Sequence, residues 1–150
     1  SGEVIRNWDA IKAREKQDHP RSAVDGVPRH LPALQKAHQV QSRAARVGFD
    51  WSRTQDVVAK IDEELAEVKQ ALQERDADRI REEIGDLLFS VVNLSRFQKM
   101  NAEELLGLTI DKFVRRFKAV EARVQAQGRT MTDCSLAELD AIWNAVKKDR

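Results

Sequence analysis

The residues best suited to chemistry are carboxylates in the middle of the chain. At roughly 100° per residue on a helical wheel, Lys60, Glu63, Glu64 and Glu67 share one narrow stripe. The apolar positions of the same segment lie immediately beside that stripe, which sets these acids at the edge of a core. Glu83 and Asp86, three residues apart on the next segment, form a second polar stripe that Ser90 and Asn93 extend. If a hairpin brings the stripes together, four or five carboxylates repel one another, and each must be protonated or neutralised by a cation. Hard oxygen donors without Cys or His select Mg²⁺, with Mn²⁺ as a substitute, over zinc. A single Glu-Glu-x-x-Glu string is an ordinary solvated face; two such stripes beside apolar residues point to a metal site. A di-iron bundle would need Glu-x-x-His on two helices, and His19, His30 and His38 all lie away from the acids.

A basic counterpart follows. Lys112, Arg115 and Arg116 line one side of a later helix, with Phe113 and Phe117 flanking them, and Lys147 follows Trp143 by one turn near the C-terminus. Arg forks and Lys point charges hold phosphate oxygens, and acids for a metal plus cations for phosphate are what a polyphosphate requires. Ten acids against five bases between Lys60 and Asp86 argue against a duplex-binding face. Gly85, in a helical stretch between Glu83 and Asp86, costs about 1 kcal/mol relative to alanine and predicts close approach of a neighbouring helix or ligand.

Six helices must position these groups. Glu3 to Lys16 reads as an isolated helix, followed by a Pro- and Gly-containing linker from Asp18 to His30. Pro32 opens a second helix that stops at Gly48. Val57, Val58, Ile61, Leu65, Val68 and Leu72 mark a long third helix to about Arg75. Asp76 or Asp78 caps a fourth, with Ile80, Ile84, Leu87, Leu88, Val91 and Val92 as its core face, and the pair is expected as an antiparallel hairpin. Asn101 with Glu104 opens a fifth helix through Leu105, Ile110, Phe113, Val114, Phe117, Val120 and Val124 to Gly128. Ser135 with Glu138 opens a sixth, with Leu139, Ile142, Trp143 and Val146. No strand pattern or repeat is visible, so the expected fold class is all-α and four-helix-bundle-like, with added N- and C-terminal helices. Residues 1–27 read as an arm and linker and residues 28–150 as the functional domain, Ser1-Gly2 being set aside as consistent with a cloning remnant.

The 150 residues carry 41% apolar and 34% charged residues, one cysteine and a formal charge of +1, the balance of a soluble chain without a disulfide of its own. No stretch approaches the roughly 18 apolar residues of a membrane span, and the start lacks a signal-peptide layout, so the chain reads as cytoplasmic.

These motifs resemble the MazG family of all-α nucleoside triphosphate pyrophosphohydrolases. The resemblance runs from about Pro28 to Lys148, through Leu-Pro-Ala-Leu at 31–34, Arg-Val-Gly-Phe-Asp-Trp at 46–51 and Lys60-x-x-Glu63-Glu64-x-x-Glu67. It continues through Glu82 to Phe89, Lys112-Phe113-x-Arg115-Arg116-Phe117 and Trp143-x-x-x-Lys147. It implies that Glu64, Glu67, Glu83 and Asp86 ligate Mg²⁺, with Glu63 as an outer ligand or a base for water. It also implies that Lys60, Lys112, Arg116, Trp143 and Lys147 contact a nucleotide. The implied reaction is hydrolysis of NTPs and dNTPs to a monophosphate and pyrophosphate. A homodimer and an upstream domain outside this chain are implied as well. The acidic pattern is shared with dUTPase and phosphoribosyl-ATP pyrophosphohydrolase relatives, and a non-catalytic nucleotide-binding or dimerisation module stays open beside them. Ile110 departs from the family, which usually carries Asn there.

Overall fold

The computed structural model describes residues 2–18 and 22–149; His19 and the first part of the expected linker, residues 19–21, lie outside them. The described residues are helical without a strand, which establishes the all-α class. Their helices are α1 (Gly2–Asp18), α2 (Ala33–Arg46), α3 (Thr54–Glu74), α4 (Ala77–Phe97), α5 (Ala102–Ala126) and α6 (Leu136–Lys148). Two compact units result, one ending at Ala102 and the other beginning at Glu103. None of the described helices is long and apolar enough to cross a membrane.

Local chemistry sets the boundaries of the first unit. Pro32 precedes α2, whose Lys36 N–H donates to the Pro32 carbonyl at 2.9 Å. Gly48, at φ +92°, ends the helix in a conformation that costs an L side chain strain. Asp50 then anchors the turn: its Oδ1 accepts from the Trp51 N–H at 2.8 Å and from Arg96 Nη2 at 2.6 Å. The α3–α4 link is two residues long. Arg75 takes the left-handed conformation at φ 54°, and the Asp76 carboxylate caps α4 by accepting from the N–H groups of Asp78 and Arg79, both at 3.2 Å. So tight a link forces α4 to run back along α3, and α2 packs on α4. Val57, Val68, Ala71 and Val92 are buried in this unit.

The apolar pattern is wider than the core it builds. Val58, Leu65 and Leu72 on α3, and Ile84, Leu88 and Val91 on α4, stay substantially exposed. The expected close approach at Gly85 is also not met: a Cβ built there meets nothing within 4 Å.

In the second unit Val120, Val124 and Val146 form the buried centre, with Met131, Cys134, Leu139, Ile142 and Trp143 packed around it. The core of this unit draws on the C-terminal half of α5; Leu105, Ile110, Phe113, Val114 and Phe117 remain exposed. Between α5 and α6 lies an unanticipated 3₁₀ turn, Met131–Asp133, which Thr130 and Asp133 close reciprocally. Ser135 caps α6 as expected, its Oγ accepting from the Glu138 N–H at 3.1 Å.

Candidate active site

Helical periodicity on α3 and the short hairpin link bring one carboxylate of α3 against two of α4. One oxygen each from Glu64, Glu83 and Asp86 lies within 4.8 Å of the others. Glu64 is buried at 8% exposure, whereas Asp86 opens to solvent. Burial pushes the Glu83 carboxyl above its usual range, with the charges of Glu67 and Asp86 adding to the shift and Arg79 opposing it. Three oxygen ligands converging at a partly desolvated place, with charge in excess, fit a hard cation, and this cluster can hold a metal ion.

Two cations already answer the acids. Lys60 Nζ lies 3.0 Å from Glu64 Oε1 and 3.1 Å from Glu63 Oε1, and the hydrogen bond to Glu64, followed by that to Glu63, holds its ammonium above the usual range. Arg79 Nη2 lies 3.2 Å from Glu67 Oε2 and 3.7 Å from Glu83 Oε1, while its Nη1 pairs with Glu74. Glu67 thus faces Arg79 and is not part of the three-oxygen group, and Glu63 points to Lys60 at the open edge. Farther along α4, Ser90 Oγ donates to the Asp86 carbonyl at 3.0 Å and Asn93 Oδ1 accepts from Arg96 Nε at 2.9 Å, so both extend the stripe as helix and surface contacts.

Arg79 escaped the sequence reading. Its signal was present, since it precedes Glu83 by one turn on the same face, where an i,i+4 ion pair forms. Its reach to Glu67 depends on the hairpin and is not written in local spacing.

Within the second unit, Lys112, Arg115, Arg116 and Lys147 line one cavity of about 460 Å³ together with Asp149. Phe113 stacks on Phe117 at 5.8 Å between centroids, and Trp143 leans on Phe113 at 5.5 Å. The sequence-predicted cations are therefore gathered by α5 and α6, while Trp143 packs against the Val120–Val124–Val146 core.

The chain is all-helical and offers a carboxylate cluster that can hold a metal ion on one helix hairpin and a cationic cavity on another helix pair. Residues 53–121 match the MazG nucleotide pyrophosphohydrolase domain. A protein of Escherichia coli K12 called nucleoside triphosphate pyrophosphohydrolase is 42% identical over 151 residues, covering 99% of this chain and 57% of that protein. A Thermotoga maritima protein called nucleoside triphosphate pyrophosphohydrolase/pyrophosphatase MazG is 39% identical over 146 residues, 97% of this chain and 56% of its own length. The uncharacterized protein YabN of Bacillus subtilis is 41% identical over 147 residues, 97% of this chain and 30% of that protein. Residues 53–121 thus carry the match to the MazG domain and the likeness to these relatives runs along nearly the whole chain, which spans little more than half the length of the first two of them.

Proposed function

We propose that this chain hydrolyses nucleoside triphosphates, ribo and deoxy, to the monophosphate and pyrophosphate, as an enzyme of nucleotide-pool control in the cytoplasm. The observation that carries the reading is the convergence of Glu64, Glu83 and Asp86 from two packed helices. These three would hold Mg²⁺, or Mn²⁺ in its place, and Glu67 would join them on leaving Arg79. When bound, the ion polarises phosphate oxygens and makes a water more acidic. Glu63, exposed and beside Lys60, is placed to take the proton of that water. Lys60 exchanges a carboxylate for a phosphate oxygen. Lys112, Arg115, Arg116 and Lys147 neutralise charge on the polyphosphate, with Trp143 adding a nucleotide contact. The names of the relatives support the choice of the bond between the α- and β-phosphates.

Incubating the chain with each NTP and dNTP and Mg²⁺, then separating monophosphate plus pyrophosphate from diphosphate plus phosphate, tests this reading. Turnover confined to dUTP or to phosphoribosyl-ATP would move the chain to the corresponding relatives, and binding without product would make it a nucleotide-binding module. Lys112→Ala should raise KM, and unchanged kinetics would remove Lys112 from phosphate binding.

A homodimer is part of the same proposal. The exposed stripes Val58–Leu65–Leu72 and Ile84–Leu88–Val91 are apolar surface that a second copy would cover. Light scattering should give twice 17.1 kDa; the monomer mass at working concentrations would refute it. The division into an arm of residues 1–27 and a domain of residues 28–150 is proposed as well, and a chain starting at Pro28 should lose the helical signal of α1 alone and keep its turnover.

A further inference from the structure

Arg79 meets the acids from a position that helix physics does not favour. It stands in the first turn of α4, where the helix dipole opposes a cation. Its ion pair with Glu83 spans 3.7 Å and runs from cation to acid along the helix, the weaker of the two i,i+4 orientations. What holds the guanidinium there is α3, across the hairpin: Nη2 donates to Glu67 Oε2 at 3.2 Å, and Nη1 donates to Glu74. The Asp76 carboxylate accepts from the backbone N–H of Arg79, so the root of the side chain is fixed by the same two-residue link that folds the hairpin.

Glu67 and Glu74 are seven residues apart, which puts them on one face of α3 and about 10 Å from each other along its axis. The planar fork of an arginine serves both at once through different nitrogens. The two acids differ in their surroundings. Glu67 borders the metal cluster, since the Nη2 it accepts from also lies within ion-pair distance of Glu83, whereas Glu74 is the last residue of α3. Arg79 therefore has one partner that a cation in the cluster would also use and one that it would not. These pairs are partly exposed, with the arginine side chain at 31%, Glu67 at 43% and Glu74 at 44%. A pair of that exposure is worth at most about fivefold in an equilibrium constant, little enough for a divalent ion to overcome.

We propose that Arg79 is a displaceable counter-ion built into the hairpin: it competes with the divalent cation for Glu67, yields that carboxylate to the ion, and keeps Glu74 as its remaining partner. Arg79 is thus a positioning residue that acts on the ion through Glu67 and sets how tightly the chain holds it. The inference rests on the metal reading above.

The test uses Mn²⁺ alone on the full chain, without nucleotide, so that turnover is not needed. Bound ion is read from the loss of the electron paramagnetic resonance signal of free Mn²⁺. Arg79→Gln should tighten the Mn²⁺ Kd by about three- to fivefold, yet melt about 2–4 °C lower in chelator because its ion pairs are gone. A merely structural role would weaken both properties together, and that result would overturn the inference. Arg81→Gln removes the same charge two residues farther along α4, where Arg81 pairs with the exposed Asp78, and should leave the Kd in place. An equal gain in Arg81→Gln would reduce the effect to net charge and overturn the competition. In a Glu67→Gln background the gain from Arg79→Gln should largely vanish, because the contested carboxylate is then absent; a full gain there would also overturn it. If Arg79→Gln loses helicity, Glu74→Gln takes its place, altering a half-exposed side chain. It should weaken Mn²⁺ binding by about two- to threefold, since Arg79 would then leave Glu67 without a partner to keep, and an unchanged Kd would overturn the inference. A wild-type chain that takes up no Mn²⁺ removes the metal reading and the role of Arg79 with it. Wild-type uptake with an unaltered Kd in Arg79→Gln removes the role of Arg79 alone.

Discussion

Replacing Asp50 by Asn removes one negative charge at nearly constant volume from the contact that ties the 49–51 turn to α4. Asp50 Oδ1 meets Arg96 Nη2 at 2.6 Å and Oδ2 meets Nη1 at 3.3 Å, a two-pronged pair whose side chains are 28% and 11% exposed. In the variant the amide NH₂ would confront an Arg96 N–H, donor against donor. A fully exposed ion pair is worth about 0–1 kcal/mol, and breaking a fully buried one costs about 3–5 kcal/mol. At this intermediate exposure the expected loss is about 2 kcal/mol, or about 4–8 °C in Tm for a domain of this size. The hydrogen bond from Arg96, foremost, and that from the Trp51 N–H hold the Asp50 carboxyl below its ordinary value of 3.8, against the effect of burial. A lowered folded-state pKa contributes stability that is complete above the ordinary value and disappears as pH falls through the lowered one. The gap between wild type and Asp50→Asn should therefore be full at neutral pH and close in acid below 3.8. Thermal melts followed by far-UV circular dichroism across that range check both statements. A Tm within about 1 °C of wild type at neutral pH, or a gap that does not change with pH, would refute the anchoring role.

Glu83→Gln addresses the acids. Because burial, and then Glu67 and Asp86, raise the Glu83 pKa above 4.5, its contribution is complete below that value and is lost as pH rises through the raised one. In chelator the variant should therefore melt higher than wild type at neutral pH and alike below 4.5, whereas parallel Tm–pH curves would count against the shift. Adding Mg²⁺ should raise the wild-type Tm and leave that of the variant in place; equal rises would remove Glu83 from the metal site. Gly85→Ala places a methyl group where nothing lies within 4 Å and should stabilise the chain by about 0.5–1 kcal/mol. A lower Tm would show that another surface occupies that space in the assembled protein.

Where the physics is local, the sequence was sufficient. Asp76 and Ser135 cap the helices they precede, and Gly48 and Gly128 take positive φ just past helix ends, because each outcome depends on atoms a few residues away. The 3₁₀ turn at Met131–Asp133 was missed although its Thr130–Asp133 spacing belongs to the same class of signal. Periodicity also placed Glu64, Glu83 and Asp86 on facing stripes, since a two-residue link leaves α3 and α4 little choice but to pair. It could not allot partners: whether Glu67 meets Arg79 or the other acids turns on side-chain reach across the hairpin. Nor could it say what covers an apolar residue, so Val57 and Val58 looked equivalent while Val57 is buried and Val58 is exposed. A cavity around Gln41 was invisible for a related reason, because its walls come from two stretches far apart in sequence, residues 40–51 and 89–96.

The central claim is that Glu64, Glu83 and Asp86 form the metal site of an NTP pyrophosphohydrolase. Glu64→Gln tests it most directly, since it keeps volume and hydrogen-bonding capacity at the buried member of the cluster while removing its charge. Pyrophosphate release from each NTP is followed as Mg²⁺ is titrated, with far-UV circular dichroism as the control for folding. The account predicts unchanged helicity and loss of Mg²⁺-dependent pyrophosphate release. Wild-type turnover with wild-type Mg²⁺ dependence in the folded variant would contradict it.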